Sequence, residues 1–272
     1  MPFETAGRFF HTSNMRLTER DNQSSMIARI SAVVGAFRPE EPELSASEIA
    51  RRVGLPKASI ARIVRDLVDF DFLERTPGGY RVGIKCFELG QLAQKPKDLR
   101  RMALATMADL RQATGLTVQL GVLDGSDVVY IEILRGKHAD LVIPSRVGGR
   151  VASYATAGGK ALLAFSGDAV LERALAGGMR KIGPNTLATE DALRAELATV
   201  REQGIAYEQE ESSPGLACAA SPLLRGDSSP IAAISITAPV GTIDMRLVGP
   251  AVQAATLGLN RQLRASTFLG QL

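Results

Sequence analysis

Residues 45–65 read Ser45-Ala46-Ser47-Glu48-Ile49-Ala50-Arg51-Arg52-Val53-Gly54-Leu55-Pro56-Lys57-Ala58-Ser59-Ile60-Ala61-Arg62-Ile63-Val64-Arg65, and the rest of the chain is best understood outward from them. Ser45-Ala46-Ser47-Glu48 has the form of a capping box: the Ser45 hydroxyl accepts from the Glu48 amide and the Glu48 carboxylate reaches back. The helix that it opens is short, because Gly54 follows Val53 and suits a tight turn. Pro56 stands where a first helical turn tolerates it. Beyond it, Ile60, Ile63, Val64, Leu67 and Val68 follow helical spacing and form one apolar stripe. Ala50 is small where the two helices cross, and Ile60 packs the second on the first. That spacing is what a helix-turn-helix requires.

The second helix turns Lys57, Ala58, Ser59, Arg62 and Arg65 to its other side. Residues 49–65 also hold Arg51 and Arg52 and no acid. Such a local basic patch is the footprint of a phosphate binder, although a solvated helix face shows the same charge. In helix-turn-helix proteins the N-terminal half of the second helix enters the major groove. Small side chains at 58 and 59 permit close approach. Arg62 can reach a guanine edge bidentately, while Lys57 and Arg65, within a patch that includes Arg51, can hold phosphates.

Working toward the ends, residues 25–37 predict a helix with Met26, Ile27, Ile30, Val33, Val34 and Phe37 on one stripe. Residues 1–24 are polar, without periodicity, and read as a loose arm. After the helix-turn-helix, residues 72–82 read as two short strands around Pro77-Gly78-Gly79. This is a wing, with Arg75 and Arg81 flanking its tip. A helix is expected over 84–93, interrupted by Lys95-Pro96-Lys97, and a second from a cap at Asp98 to about Ala113. The expected domains are an arm over 1–24, a DNA-binding domain over 25–83, a linker helix over 84–97 and a larger domain over 98–272.

The larger domain alternates strand and helix patterns. Residues 117–123 and 128–134 form a hairpin around Asp124-Gly125-Ser126-Asp127. Further strands are expected over 141–145, 205–210, 216–224 and 231–237. Helices are expected over 156–165, 168–175, 190–203 and 243–264. Antiparallel hairpins with helices around them make an α+β domain.

Composition sets the outer limits. The chain has 272 residues, 45% apolar and 22% charged, with Lys+Arg 32 against Asp+Glu 29. This is an ordinary soluble balance with length for about two domains. The longest apolar runs fall far short of the ~18 residues that a spanning helix needs. The first 25 residues hold no apolar signal core. Cys86 and Cys218 lie far apart, so the expectation is a cytosolic protein with two free thiols. His11 and His138 are the only histidines. A His-rich metal site or a His-based triad has almost no raw material, and no cofactor is expected.

The string from Leu44 to Ser59, continued by Arg62, Leu67, Phe72-Leu73 and Tyr80-Arg81-Val82-Gly83, resembles the winged helix-turn-helix of the IclR family of bacterial transcriptional regulators. In the C-terminal half, Tyr154-Ala155-Thr156-Ala157-Gly158-Gly159-Lys160-Ala161-Leu162-Leu163-Ala164 is similar to the family's small-residue, Gly-Lys segment. Gly204-Ile205, Glu210-Glu211, Gly215, Cys218-Ala219-Ala220, Pro222 and Ala233-Ile234-Ser235-Ile236 follow in family order. The resemblance covers about residues 25–265. It implies a winged domain, a linker helix and a GAF-like or PAS-like effector-binding domain with an antiparallel sheet. It implies a homodimer or homotetramer on a palindromic double-stranded operator, a small-molecule effector, RNA polymerase as a candidate further partner, and no membrane. The family's effector positions match Ala157, Gly158, Glu208, Cys218, Ser235 and Thr237, with Tyr130, Leu141, Ile143 and Tyr154 as an apolar wall. Ala157 stands where a glycine is frequent, and Glu208 where a shorter acid occurs. A glycine-rich helix start suits an anion, and Ser235 and Thr237 alternate by two onto one strand face. The implied ligand is a small organic acid.

Other chemistries fit less well. Residues 154–161 fail the phosphate-loop pattern, with Tyr154 at its first glycine and Ala161 after the lysine. Cys218 lacks a base to make it a nucleophile. Lys160 reads as a helix-start surface or anchoring charge. Glu208 and Glu210 alternate onto one face, but no histidine joins them to hold a metal. The expectation is a regulator and not an enzyme. The alternative is a small-molecule enzyme with an N-terminal helical appendage.

Overall fold

The computed structural model describes residues 25–137 and 145–265. The arm over 1–24 and the wall residues Leu141 and Ile143 lie outside the described residues, as does the strand expected over 141–145 apart from Ser145. Among the described residues the chain divides into two compact units, 25–94 and 95–265. No helix among them is long and apolar enough to cross a membrane.

The first unit runs α1 (Met26–Val34), α2 (Ala46–Val53), α3 (Lys57–Asp69), β1 (Leu73–Thr76), β2 (Gly79–Val82) and α4 (Ile84–Gly90). Helix α1 is shorter than its apolar stripe suggests, because the chain turns at Gly35; Ala36 and Phe37 remain in the core. The Ser45 hydroxyl accepts from the Glu48 amide at 3.1 Å, one half of the expected capping box. The reciprocal half is replaced: the Glu48 carboxylate accepts from Arg51 and Arg52 instead. Gly54 ends α2 at φ +77°, and its amide donates to the Ala50 carbonyl at 2.9 Å. A side chain there costs about 1–2 kcal/mol, so glycine makes the tight turn possible. Ile49, Ala50, Val53, Ile60, Ile63, Val64, Leu67 and Leu73 close the core. Strands β1 and β2 pair from Leu73↔Val82 to Thr76↔Gly79, leaving Pro77-Gly78 as the turn. Leu44 exchanges two 2.9 Å backbone bonds with Tyr80 and fastens the wing to the start of α2.

The second unit begins with α5 (Gln94–Thr114). The expected break at Lys95-Pro96-Lys97 is absent. Pro96 lies in the first turn of α5, where amides have no intrahelical acceptor and a missing N–H is not felt. The expected helix over 84–93 stops at Gly90. A hairpin of β3 (Thr117–Asp124) and β4 (Asp127–Leu134) follows. Next come a short β5 (Arg150–Ala152) that the sequence did not announce, a 3-10 turn over Ser153–Ala155, α6 (Ala157–Ala164), α7 (Asp168–Leu175) and α8 (Glu190–Gln203). Then come β6 (Ala206–Gln209), β7 (Leu216–Leu224), β8 (Pro230–Pro239) and α9 (Met245–Ala265). The six strands make one antiparallel sheet in the order β5-β4-β3-β8-β7-β6.

Alternation assigns each face of that sheet. Val118, Leu120, Ala217, Ala219, Ile234, Ile236 and Ala238 pack with α5 and α9. Tyr130, Ala206, Ala220 and Ala233 pack with α6, α7 and α8. Every residue of α6 is buried, as expected for a helix enclosed on all sides. It folds tightly against the preceding 3-10 turn because residue 159 is glycine: a Cβ there would sit 2.1 Å from the Ser153 carbonyl oxygen.

Candidate functional site

On α3 the two faces separate as the spacing requires. Ile60, Ile63, Val64 and Leu67 are buried, while Lys57, Ala58, Arg62 and Arg65 are exposed and Ser59 is half-buried. Lys57, Arg62 and Arg65 have no ion pair among the described residues. The other expected basic residues are engaged. Arg51 pairs with Glu48 at 2.6 Å, and Arg81 pairs with Glu74 at 2.6 Å. Arg75 stacks over the Tyr80 ring, 5.4 Å from its centre. Hydrogen bonds from Arg51 and Arg52 hold the Glu48 carboxyl down to about 2. Arg52, which also binds Glu41 and the Ala36 carbonyl, is a clamp within the fold.

The second cluster lies on the α6 face of the large sheet. Strand register sets its members side by side: Glu208 opposite Cys218, Cys218 opposite Thr237, and Ser235 opposite Gln119. The Cys218 sulfur is 3.2 Å from Thr237 Oγ1, and its thiol donates to Glu208 Oε1 at 3.6 Å. Glu208 also accepts from the Ser212 hydroxyl at 2.7 Å and the Glu211 amide at 3.1 Å. Burial pushes the Glu208 carboxyl up, and pushes the Cys218 thiol well above its ordinary range. The sulfur therefore stays a protonated thiol, which removes the nucleophile that a catalytic reading would need. Tyr130 is buried beside this pair, its hydroxyl raised by burial and then by Cys218 and Glu208.

Ala157 and Gly158 begin α6, which packs on this face, and Thr156 caps it by accepting from the Gly159 amide at 3.1 Å. The Ala157 and Gly158 amides have no partner among the described residues. Lys160, expected as a surface or anchoring charge, is fully buried, so only its anchoring role stands. Its ammonium donates to Glu211 at 2.6 Å and to Glu196. The expected shared face of Glu208 and Glu210 is absent, because β6 ends at Gln209 and Glu210 takes φ +57°. Tyr154 is buried, and its hydroxyl is held by the Arg180 backbone. Among the described residues no group of three His, Cys, Asp or Glu is placed to hold a metal ion.

The family model described as the IclR helix-turn-helix domain matches residues 26–77, and that described as bacterial transcriptional regulator IclR C-terminal matches residues 91–256. The chain belongs to the IclR family of bacterial transcriptional regulators. It is 35% identical to the HTH-type transcriptional regulator XynR of Escherichia coli, over 87% of this chain and 96% of that one. It is 31% identical to the E. coli regulator KdgR, over 83% and 87%. A crystal structure of an IclR homolog from Microbacterium hydrocarbonoxydans in complex with 4-hydroxybenzoate matches with a TM-score of 0.78 and 30% identity, covering 89% of this chain and all of that one. The protein is thus a transcriptional regulator with a DNA-binding helix-turn-helix and a C-terminal effector domain.

Within this IclR-family effector domain, sequence reading missed Gln119. Its carboxamide joins Ser235, Thr237 and Ser145 in one buried row. The signal was there in β3, where Thr117 and Gln119 alternate with Val118 and Leu120 and so share the face of Ser235 and Thr237.

Proposed function

We propose that this protein binds a palindromic operator as a homodimer or homotetramer in the cytoplasm, and that a small organic acid held on the α6 face of its large sheet controls that binding. The observation that carries the DNA half is the exposed basic face of the N-terminal part of α3, Lys57 to Arg65, within a stretch from Ile49 to Arg65 that holds no acid. Arg62 reads a base edge, Lys57 and Arg65 hold phosphates, and Ala58 and Ser59 let the helix approach. Arg75 adds charge at the wing. Arg51 and Arg81, already paired with Glu48 and Glu74, add less. The sensing half is supported by the polar row of buried Glu208, Ser235 and Thr237 and half-buried Cys218 facing α6, with Ala157, Gly158 and Tyr130 around it. The 4-hydroxybenzoate in the Microbacterium homolog is itself a small organic acid. RNA polymerase is a further partner in this reading.

Binding to DNA from the protein's own promoter, titrated against salt, tests the interface. Arg62→Ala is expected to lose about 1–3 kcal/mol at one base pair per half-site, together with discrimination there. Lys57→Ala or Arg65→Ala should weaken all sequences alike and lower the salt slope by about one. An Arg62→Ala protein with unchanged sequence preference would overturn the assignment of the recognition face.

A further inference from the structure

The hydrogen bonds around Gln119 fix more than position. Gln119 is buried in β3, between β4 and β8. Its Oε1 accepts from Ser235 Oγ at 3.1 Å and from Thr237 Oγ1 at 3.2 Å, and its Nε2 donates to Ser145 Oγ. A carboxamide oxygen has two lone pairs, and each hydroxyl has one proton to give. Both lone pairs are therefore filled and both hydroxyl protons spent. Ser235 and Thr237 can then meet a third group only as acceptors.

We propose that Gln119 is a specificity-determining residue of the effector site: by taking the hydroxyl protons of Ser235 and Thr237 it makes that end of the site accept hydrogen bonds, and so selects an acid that also carries a hydroxyl or another donor. This rests on the reading of the α6 face as the acid-binding site. The two ends of the site then differ in sense. The amides of Ala157 and Gly158, without a partner among the described residues, suit the carboxylate, and the hydroxyl oxygens of Ser235 and Thr237 suit the donor. An effector with a keto oxygen in place of the hydroxyl brings acceptor against acceptor, and both are left unpaired in a buried place.

Matched pairs of acids test this on the full-length protein: lactate against pyruvate, and mandelate against phenylglyoxylate, by calorimetry at millimolar ligand. At least one hydroxy acid is expected to bind tighter than its keto partner by about tenfold, the usual effect of leaving a buried polar group unpaired. In Gln119→Met the carboxamide is gone, both hydroxyls are free to donate, and the ratio is expected to fall to about one. Ser235→Ala removes one acceptor facing the ligand, and with it one of the two donors to Gln119 Oε1, but leaves the carboxamide in place; it should reduce the same ratio, which decides the matter if Gln119→Met does not fold. Keto acids bound as tightly as their hydroxy partners in every pair that binds, or more tightly, overturn the proposal; the second result is what a reversed carboxamide would produce. A variant that weakens both members of a pair and keeps their ratio overturns it too, since that is a merely structural role. Binding of none of the four acids removes the reading of the α6 face as an acid site, and this proposal with it.

Discussion

Glu211 has two carboxylate oxygens in unlike places. Oε1 accepts from the Lys160 ammonium at 2.6 Å, while Oε2 is buried without a hydrogen-bond partner. Burial pushes its carboxyl from an ordinary 4.5 up to about 7, against the pull of Lys160. Between those two values the folded protein holds a proton that the unfolded chain has released. The stability from this group is therefore complete below about pH 4.5, and is lost as pH rises through about 7. Urea denaturation of the full chain across that window is expected to show stability falling with pH in the wild type. Glu211→Gln cannot ionise and should flatten the fall; parallel profiles would assign the titration to another group. The sequence showed Glu211 only as one of three nearby acids. The family resemblance selected Glu208, which does lie on the sheet face; the alternation that joined it to Glu210 has no meaning beyond Gln209, where the strand stops. Gln119 was legible by the same alternation, yet a single amide in a strand carries no charge or spacing signal to draw the eye. For Lys160 the sequence left surface and anchoring roles open, because a lysine is almost never fully buried unless paired and its partners, Glu196 and Glu211, are 36 and 51 residues away.

At the scale of elements, α4 is the anomaly. None of its residues is buried, and Ile84, Phe87 and Leu89 are exposed, with Leu92 just beyond. An exposed apolar cluster of this kind marks an interaction surface. A palindromic operator requires two copies of α3, so a second copy of this chain is the partner that the proposed function supplies. Ile84→Asp with Phe87→Asp in the full-length protein is then expected to weaken binding to DNA carrying two half-sites by at least about tenfold, because the second contact is no longer tethered to the first. Binding to a single half-site should change far less. Equal losses on the two DNAs would mean that α4 serves α3 directly and not pairing. Elements with a strong local pattern were legible from the sequence. Helices α7 and α8 and strand β7 have the bounds that caps and alternation indicate. Elements defined by partners were not. β5 has three residues and exists because Val151 and its neighbours pair with β4. Pro96 was taken for a break because proline disrupts helix interiors; in a first turn it disrupts nothing.

For the whole molecule the question is how a ligand in one unit is felt by DNA on the other. The units were visible in the sequence as a composition of patterns: helical spacing around one basic stretch, then alternating strands. The sequence put the boundary between residues 97 and 98, after an interruption at Lys95-Pro96-Lys97, whereas residues 91–93 are the non-helical chain between α4 and α5. Whatever changes between the bound and free states, thermodynamics constrains the outcome. If the effector shifts operator affinity by some factor, operator must shift effector affinity by the same factor. A shift of about 5–150-fold, or 1–3 kcal/mol, is the usual range for such coupling. The measurement is a titration of effector into the full-length protein with and without saturating operator, using whichever acid of the matched pairs binds. A factor equal to the one read from operator titrations, and in the same direction, is expected: if the ligand releases DNA, operator weakens effector binding by that factor. Equal effector affinities with and without operator, in a protein that still regulates in the cell, would show that the ligand leaves DNA binding untouched. Regulation would then have to act after binding, through the contact with polymerase, and the exposed residues of the effector unit would become the place to look for it.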